Sequence, residues 1–381
     1  MTLPLENTLV IDLSQFLSGP SASLRLADLG AEVIKIEKPV TGDICRELYV
    51  SDCSIEGEST IFHAINRNKK SAVYDLKNDA DLVRFRVLLA KADVMMHNFR
   101  PGVMDRLGLG YEQVSALNPG IVYAELSGYG QDGPWKDRPG QDLLLQAVTG
   151  VTYLTGNRND PPTPMGVAVA DILSGTQLTQ GILAALYRRI ITGKGALVQL
   201  SMMESMIDLQ FEVLTCFFND GRQIQPRSEN NGAHAYIAAP YGVYQTTDGY
   251  LSLAMGDIVR LGHLLQCLPL TEMTDRSRWF RDRDAIKAIL QAHLLTEKTG
   301  YWLEILEAAD IWCSEILDFE QLRKHEGYRT LKMEQEVVTG SGIALTTTRC
   351  PIRIDGELMI SRQGAPVLGE HTGTIEKRFH H

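Results

Sequence analysis

LVIDLSQFLSGPSASLRLADLGAEVIKI, residues 9–36, contains two short apolar runs separated by an amphipathic stretch. Leu9 to Leu13 and Glu32 to Ile36 read as strands, because apolar runs of that length suit a parallel sheet covered on both faces. Between them, Pro20 stands where the first turn of a helix tolerates a missing N–H, and Gly30 stands where a helix ends. A strand, a helix and a strand in succession predict an α/β fold with crossover connections.

Working outward, the pattern repeats. Ser71 to Tyr74, Val94 to Met96, Ile121 to Leu126 and Ala196 to Leu200 read as further strands, while Leu82, Phe85 and Leu89 recur at helical spacing. Asp142 to Val148 reads as a short helix. Ile172 to Ile191 reads as a long one, closed by Gly193 with Arg188 and Arg189 in its last turns, where they suit the macrodipole. Met202 to Phe218 is apolar on nearly every face, which predicts one buried helix at a subunit contact. The polar stretch NDGRQIQPRSENNGAH then changes the composition abruptly. TTDG between Val243 to Gln245 and Tyr250 to Ala254 predicts a hairpin, and helices from about Asp284 and Thr299 complete a smaller α+β domain. Strand-like Pro351 to Ile354 and the turn-rich APVLGEHTG are too short to fold alone and are expected to pack back on the first domain. The expected organisation is a large parallel-sheet domain in 1–205, a linker helix and connection in 206–230, a small α+β domain in 231–335 and a return segment in 336–381.

The chain has 381 residues, 44% hydrophobic and 22% charged, as a soluble enzyme would. With 37 Lys and Arg against 47 Asp and Glu, its net charge of −10 argues against a nonspecific grip on nucleic acid or anionic lipid. The six cysteines have no metal-ligand or redox spacing, so reduced thiols and no bound metal are expected. The amino terminus lacks a basic region followed by a long apolar run, and no window reaches the roughly 18 consecutive apolar residues of a membrane helix. A cytoplasmic location is therefore expected.

No phosphate-binding glycine loop, nucleophile elbow or zinc-protease signature occurs, and the nine histidines lack ligand spacing. What remains are acids, amides and glycine turns. Asp171 stands where an apolar run meets the long helix, a position that suits an ionised carboxylate and reads equally as a simple N-cap. Asn98, Arg100 and Arg106 surround a Pro-Gly turn after a strand, where open α/β sheets place ligand-contacting loops. Lys35, Lys38 and Arg46 lie near the end of the second strand and could meet phosphates or solvent alike.

VIDLSQFLSGPSASLRLADLGAEVIKIEKP, NRNKKSAVYDLK, HNFRPGVMDRLGLGYE, NPGIVYAELSGYGQDGP, Asp171 before its helix and APVLGEHT fall in order along the chain. Together they resemble the class III CoA-transferases, the family of formyl-CoA:oxalate and carnitine CoA-transferases. The resemblance implies a Rossmann-like large domain, a smaller α+β domain and an interlocked homodimer. It implies that Asp171 is the nucleophile, passing through aspartyl anhydride and aspartyl-CoA thioester intermediates, with CoA and acyl-CoA as substrates and no metal. It places Phe16, Leu17, Ser18, Lys38, Ala72, Asn98, Phe99 and Arg106 around CoA, and Gln141 and Asp142 toward the acyl group and a small, dicarboxylic acceptor. Leu17 replaces a glutamine of the formyl-CoA transferases, and AHAYIAAPYGVYQTTDG replaces their glycine run. The related acyl-CoA racemases carry a histidine where this chain has Gln141, and an amide cannot exchange that proton. An isomerase and a noncatalytic CoA-binding protein are the alternatives.

Overall fold

The structure is a computed structural model and describes residues 3–48, 52–55 and 57–379, so His380 and His381 lie outside the described residues. The chain divides into two compact units: Met1–Leu145, Ala168–Leu209 and Thr330–His381 form the first, and Gln146–Val167 with Gln210–Arg329 form the second. The chain thus leaves the first unit at residue 145 and re-enters it at 168, within a stretch where composition marks no boundary.

The first unit is built on six strands: β1 (Leu9–Asp12), β2 (Glu32–Glu37), β3 (Lys70–Val73), β4 (Val94–His97), β5 (Val122–Ser127) and β6 (Ala196–Ser201). All pair in parallel, in the order β3-β2-β1-β4-β5-β6. Aliphatic side chains face one another across the register, with Ile11 opposite both Ile34 and Met95, and all three are fully buried. Each strand lies within one or two residues of its reading from apolar runs alone. The strand order reverses between β1 and β4, and in an open sheet of this kind the crevice beyond the carboxyl ends at that reversal receives ligands.

Helices α1 (Ser18–Asp28), α2 (Thr60–Asn66), α3 (Asp79–Leu89), α4 (Asp142–Val148) and α5 (Val169–Thr192) cover the connections. Helix α5 ends at Gly193, φ 70°, as expected, but begins three residues ahead of Ile172. The single buried helix expected over Met202 to Phe218 is two: α6 (Met202–Asp208) and α7 (Phe211–Asn219). The chain passes from one unit to the other between them, and no residue of α7 is buried, with Phe211 and Phe218 exposed by 69% and 63%.

In the second unit, β7 (Gly242–Gln245) and β8 (Tyr250–Leu253) form the expected hairpin, with β9 (Cys313–Glu315) antiparallel to β8. Helices α8 (Ile258–Leu265), α9 (Arg283–Leu294) and α10 (Thr299–Ala308) bury Ile258, Leu261, Leu290 and Trp302 against Tyr244 and Leu251. The return segment ends in α11 (Thr372–Phe379) and seals the free edge of β3, a row of groups otherwise open to pairing. His371 N–H donates to Ser71 O at 2.9 Å, Gly369 N–H to Ser71 Oγ at 2.8 Å, and Val73 N–H to Thr372 Oγ1 at 3.0 Å.

Candidate active site

The loop leaving β1 lies at the strand-order reversal, and Ser14 to Leu17 are held from three sides. From β4, the Asn98 side chain accepts from Gln15 N–H at 2.8 Å and donates to Gln15 O at 2.7 Å. Phe16, at φ 64°, donates its N–H to Asp43 Oδ1 at 3.3 Å. Beneath, Lys35 Nζ donates to Ser14 O at 2.8 Å and pairs with Asp43 Oδ2 at 2.7 Å.

That last arrangement corrects the reading of Lys35 and Arg46 as groups that could meet phosphates. Lys35 is 1% exposed and Arg46 5%. Burial alone would make Lys35 easier to deprotonate, but Asp43, Asp12 and Glu37 outweigh it and hold the ammonium charged. Arg46 grips Glu37 with two bonds of 2.8 Å, reaches Glu58 at 2.6 Å and stacks on the Phe62 ring. Their partners come from β2 and from segments 8 or more residues away, Ser14 O lying 21 from Lys35 and Glu58 lying 12 from Arg46, so no local pattern announces them. Lys38, by contrast, is exposed.

Asp171 is not the N-cap. Ala168 occupies that position, and Asp171 is the third residue of α5. Capping falls to Asp142, the first residue of α4, whose Oδ1 accepts from Ala170 N–H at 2.7 Å and Asp171 N–H at 3.3 Å. A carboxylate at that site satisfies free N–H groups and complements the helix dipole, and it leaves the carboxylate of Asp171 available for other work. Asp171 meets Ser18, the first residue of α1, which donates both its N–H and its hydroxyl. The two helices approach closely because residue 175 is glycine. A Cβ there would stand 2.1 Å from Ser21 Oγ and 2.6 Å from Ser18 O.

Burial, and then the negative charge of Asp142, push the Asp171 carboxyl up to about 6, and the Ser18 hydrogen bonds only partly oppose this. The group is therefore ionised at neutral pH yet more basic than a solvated carboxylate. It is half-buried and lies on the wall of a cavity of about 500 Å³ shared with Phe16, Leu17, Asn98 and Gln141. A second cavity, of about 490 Å³, is lined by Lys38, Tyr74, Lys77 and Val103. Gln15 and Phe99 line both, so the two adjoin along the carboxyl ends of β1, β2, β3 and β4. Phe99 is positioned by the buried His97, whose Nδ1 accepts from Phe99 N–H at 3.3 Å.

The remaining sequence candidates are placed differently. Ser18 is buried and faces Asp171, Ala72 is fully buried within β3, Arg106 is exposed away from both cavity walls, and Asp142 acts on α5. Sequence reasoning did not single out Lys77 or Tyr74 on the second cavity, nor Gly128 and Gly140 on the first. A Cβ on Gly128 would stand 2.7 Å from the Gly140 Cα, so the chain crosses itself there and the intervening residues form a pinched loop. The paired glycines flanking YGQDGPWKDRP were the available signal.

Residues 5–372 match the family described as CoA-transferase family III. The chain belongs to that family. The acetyl-CoA:oxalate CoA-transferase of Acetobacter aceti is 34% identical, over 99% of this chain and 96% of that protein. The human succinyl-CoA:glutarate CoA-transferase is 30% identical, over 98% of this chain and 85% of its own length. A CaiB/BaiF family protein from Brucella suis, 28% identical, superimposes with a TM-score of 0.84 over the whole of both chains. The transferase therefore acts on CoA thioesters.

Proposed function

We propose that this transferase moves CoA from an acyl-CoA donor to a small dicarboxylic acid through covalent intermediates on Asp171. The observation that carries the reading is an ionisable carboxylate, raised to about 6, on the wall of a cavity that adjoins a second one at the strand-order reversal. The second cavity, with Lys38 and Lys77, suits the nucleotide end of CoA. The pantetheine arm then passes Gln15 and Phe99 to bring the thioester to Asp171.

Asp171 Oδ attacks the thioester carbonyl, the C–S bond breaks and CoA thiolate leaves, giving a mixed anhydride. The thiolate then attacks the aspartyl carbonyl, displacing the donor as its free carboxylate and leaving an aspartyl-CoA thioester. The acceptor carboxylate attacks that thioester, releasing thiolate and forming a second anhydride. Attack of the thiolate on the acceptor's own carbonyl yields the new acyl-CoA and regenerates Asp171. Splitting the exchange in this way keeps each bond-breaking step easy and loses no CoA to water. The Ser18 N–H and hydroxyl orient the nucleophile, and the Gln141 amide faces the same cavity. An amide there cannot supply the second acid or base that an isomerase requires.

The enzyme acts as an interlocked homodimer in the cytoplasm. The uncovered apolar α7, and Tyr187, Ile190 and Ile191 exposed on α5, support the dimer; the absence of disulfides among the described cysteines is consistent with a reducing compartment. Incubation with succinyl-CoA and a panel of acids, followed by mass spectrometry of the peptide containing Asp171, tests the chemistry. CoA bound through that residue is expected. Full transfer activity in Asp171→Ala overturns the reading.

A further inference from the structure

The wall of the Asp171 cavity carries a charge balance opposite to that of the molecule. The chain has a net charge of −10, yet this wall holds Arg100, Lys136 and Arg138 with Asp171 as its one acid. Lys136 and Arg138 both lie on the loop pinched between Gly128 and Gly140. Both are exposed, and among the described residues neither pairs with a carboxylate. The turn that carries them is fixed: Arg138 N–H donates to Trp135 O at 2.9 Å, and its guanidinium lies 5.7 Å from the centre of the Trp135 ring.

Beside the polar Gln15, Asn98 and Gln141, that wall also carries an aliphatic surface from Leu17, Leu48, Ile61, Leu126 and Met202. A cavity offering a carboxylate nucleophile, an aliphatic surface and three cations, two of them on the pinched loop, matches a molecule with two carboxylates and a short hydrocarbon spacer. One carboxylate reacts and the spacer packs on the aliphatic wall. The other needs a cation, because a carboxylate leaving water without one is strongly disfavoured, and a guanidinium is the group whose fork fits it best. Phosphates of CoA have Lys38 and Lys77 in the adjoining cavity, so they leave these two cations without a role.

We infer that Lys136 and Arg138 bind the free carboxylate of the acceptor and so set a preference for dicarboxylates with an aliphatic spacer over monocarboxylates of the same length and over oxalate. The inference rests on the transferase reading above and adds the residues that select the acceptor.

The test compares the full-length wild type with the Lys136→Gln/Arg138→Gln double variant, using acetyl-CoA, whose acyl group has no second carboxylate, as donor and glutarate, valerate or oxalate as acceptor. Wild type is expected to prefer glutarate to both other acids. In the variant, kcat/KM for glutarate is expected to fall about 10- to 100-fold, as loss of a charged hydrogen bond implies. The value for valerate should stay within about threefold, and the KM for acetyl-CoA should hold; Lys136→Arg should retain the preference. Equal losses with glutarate and valerate, or a raised KM for acetyl-CoA, would assign the cations to CoA phosphates and overturn the inference while leaving CoA transfer intact. A wild type indifferent to the second carboxylate overturns it too. Failure of wild type to transfer CoA to any acid removes the underlying reading as well.

Discussion

Replacing Asp171 with Asn should abolish transfer and at the same time make the protein more stable at neutral pH. The carboxyl is displaced from its ordinary 3.8 to about 6 by burial and by Asp142. At about 1.4 kcal/mol for each pH unit, keeping it ionised withholds at most about 3 kcal/mol from the folded state. Because the folded value lies above the unfolded one, the cost is absent below about pH 4, grows as the unfolded carboxylate ionises, and is complete above about pH 6. Asn removes both the buried charge and the repulsion, and its amide oxygen still accepts from Ser18 N–H. Thermal unfolding of both proteins between pH 4 and 8 measures the difference. The Asn variant should gain several degrees over wild type across pH 4 to 6 and hold that lead above it. A difference independent of pH, or a variant less stable than wild type at pH 8, would show that the carboxylate is not held at a cost and would remove the argument for its heightened nucleophilicity.

Other substitutions probe the groups around it. Asp142→Asn keeps an oxygen for Ala170 N–H but removes the neighbouring charge, so the acid limb of the wild-type rate profile, centred near pH 6, should move to lower pH by up to about one unit. Gly175→Ala forces α5 away from Ser18 and should cost about 1–3 kcal/mol in thermal unfolding, with a drop in kcat from the displaced nucleophile. Lys35→Met strands Asp43 in the interior and should destabilise by about 3–5 kcal/mol. Where the variant remains folded, its KM for acyl-CoA should be little changed; a large rise in KM without loss of stability would return Lys35 to the role of phosphate contact.

The sheet was legible because β1 to β5 are runs of four to six residues buried nearly throughout, a requirement met within consecutive positions; β6 is the exception, an edge strand with Leu197 and Gln199 exposed. Helix α5 was legible for the same reason in its apolar face, but its start was not. The group that caps it, Asp142, sits 28 residues before Ala170, and a long-range hydrogen bond leaves no trace in local composition. The break after Asp208 was equally hidden, since Met202 to Phe218 carries apolar residues on nearly every face, and the interruption falls where the chain passes from one unit to the other. Lys35 and Arg46 looked available because their acids are brought to them by the fold. Asp171 was singled out from the context that resembled a family, whereas its raised pKa depends on burial and on Asp142 arriving from another segment, against the opposing hydrogen bonds of Ser18.

The crossing at Gly128 and Gly140 has an evolutionary implication. Because the backbone closes on itself at that point, the eleven residues in between form a cassette whose ends are fixed by the scaffold, and lengthening or recolouring such a closed loop costs little conformational entropy. Insertions or altered charges could therefore accumulate at its tip without disturbing the strands or the nucleophile. Diversification toward new acids would be expected to act there first, and to leave the two glycines alone.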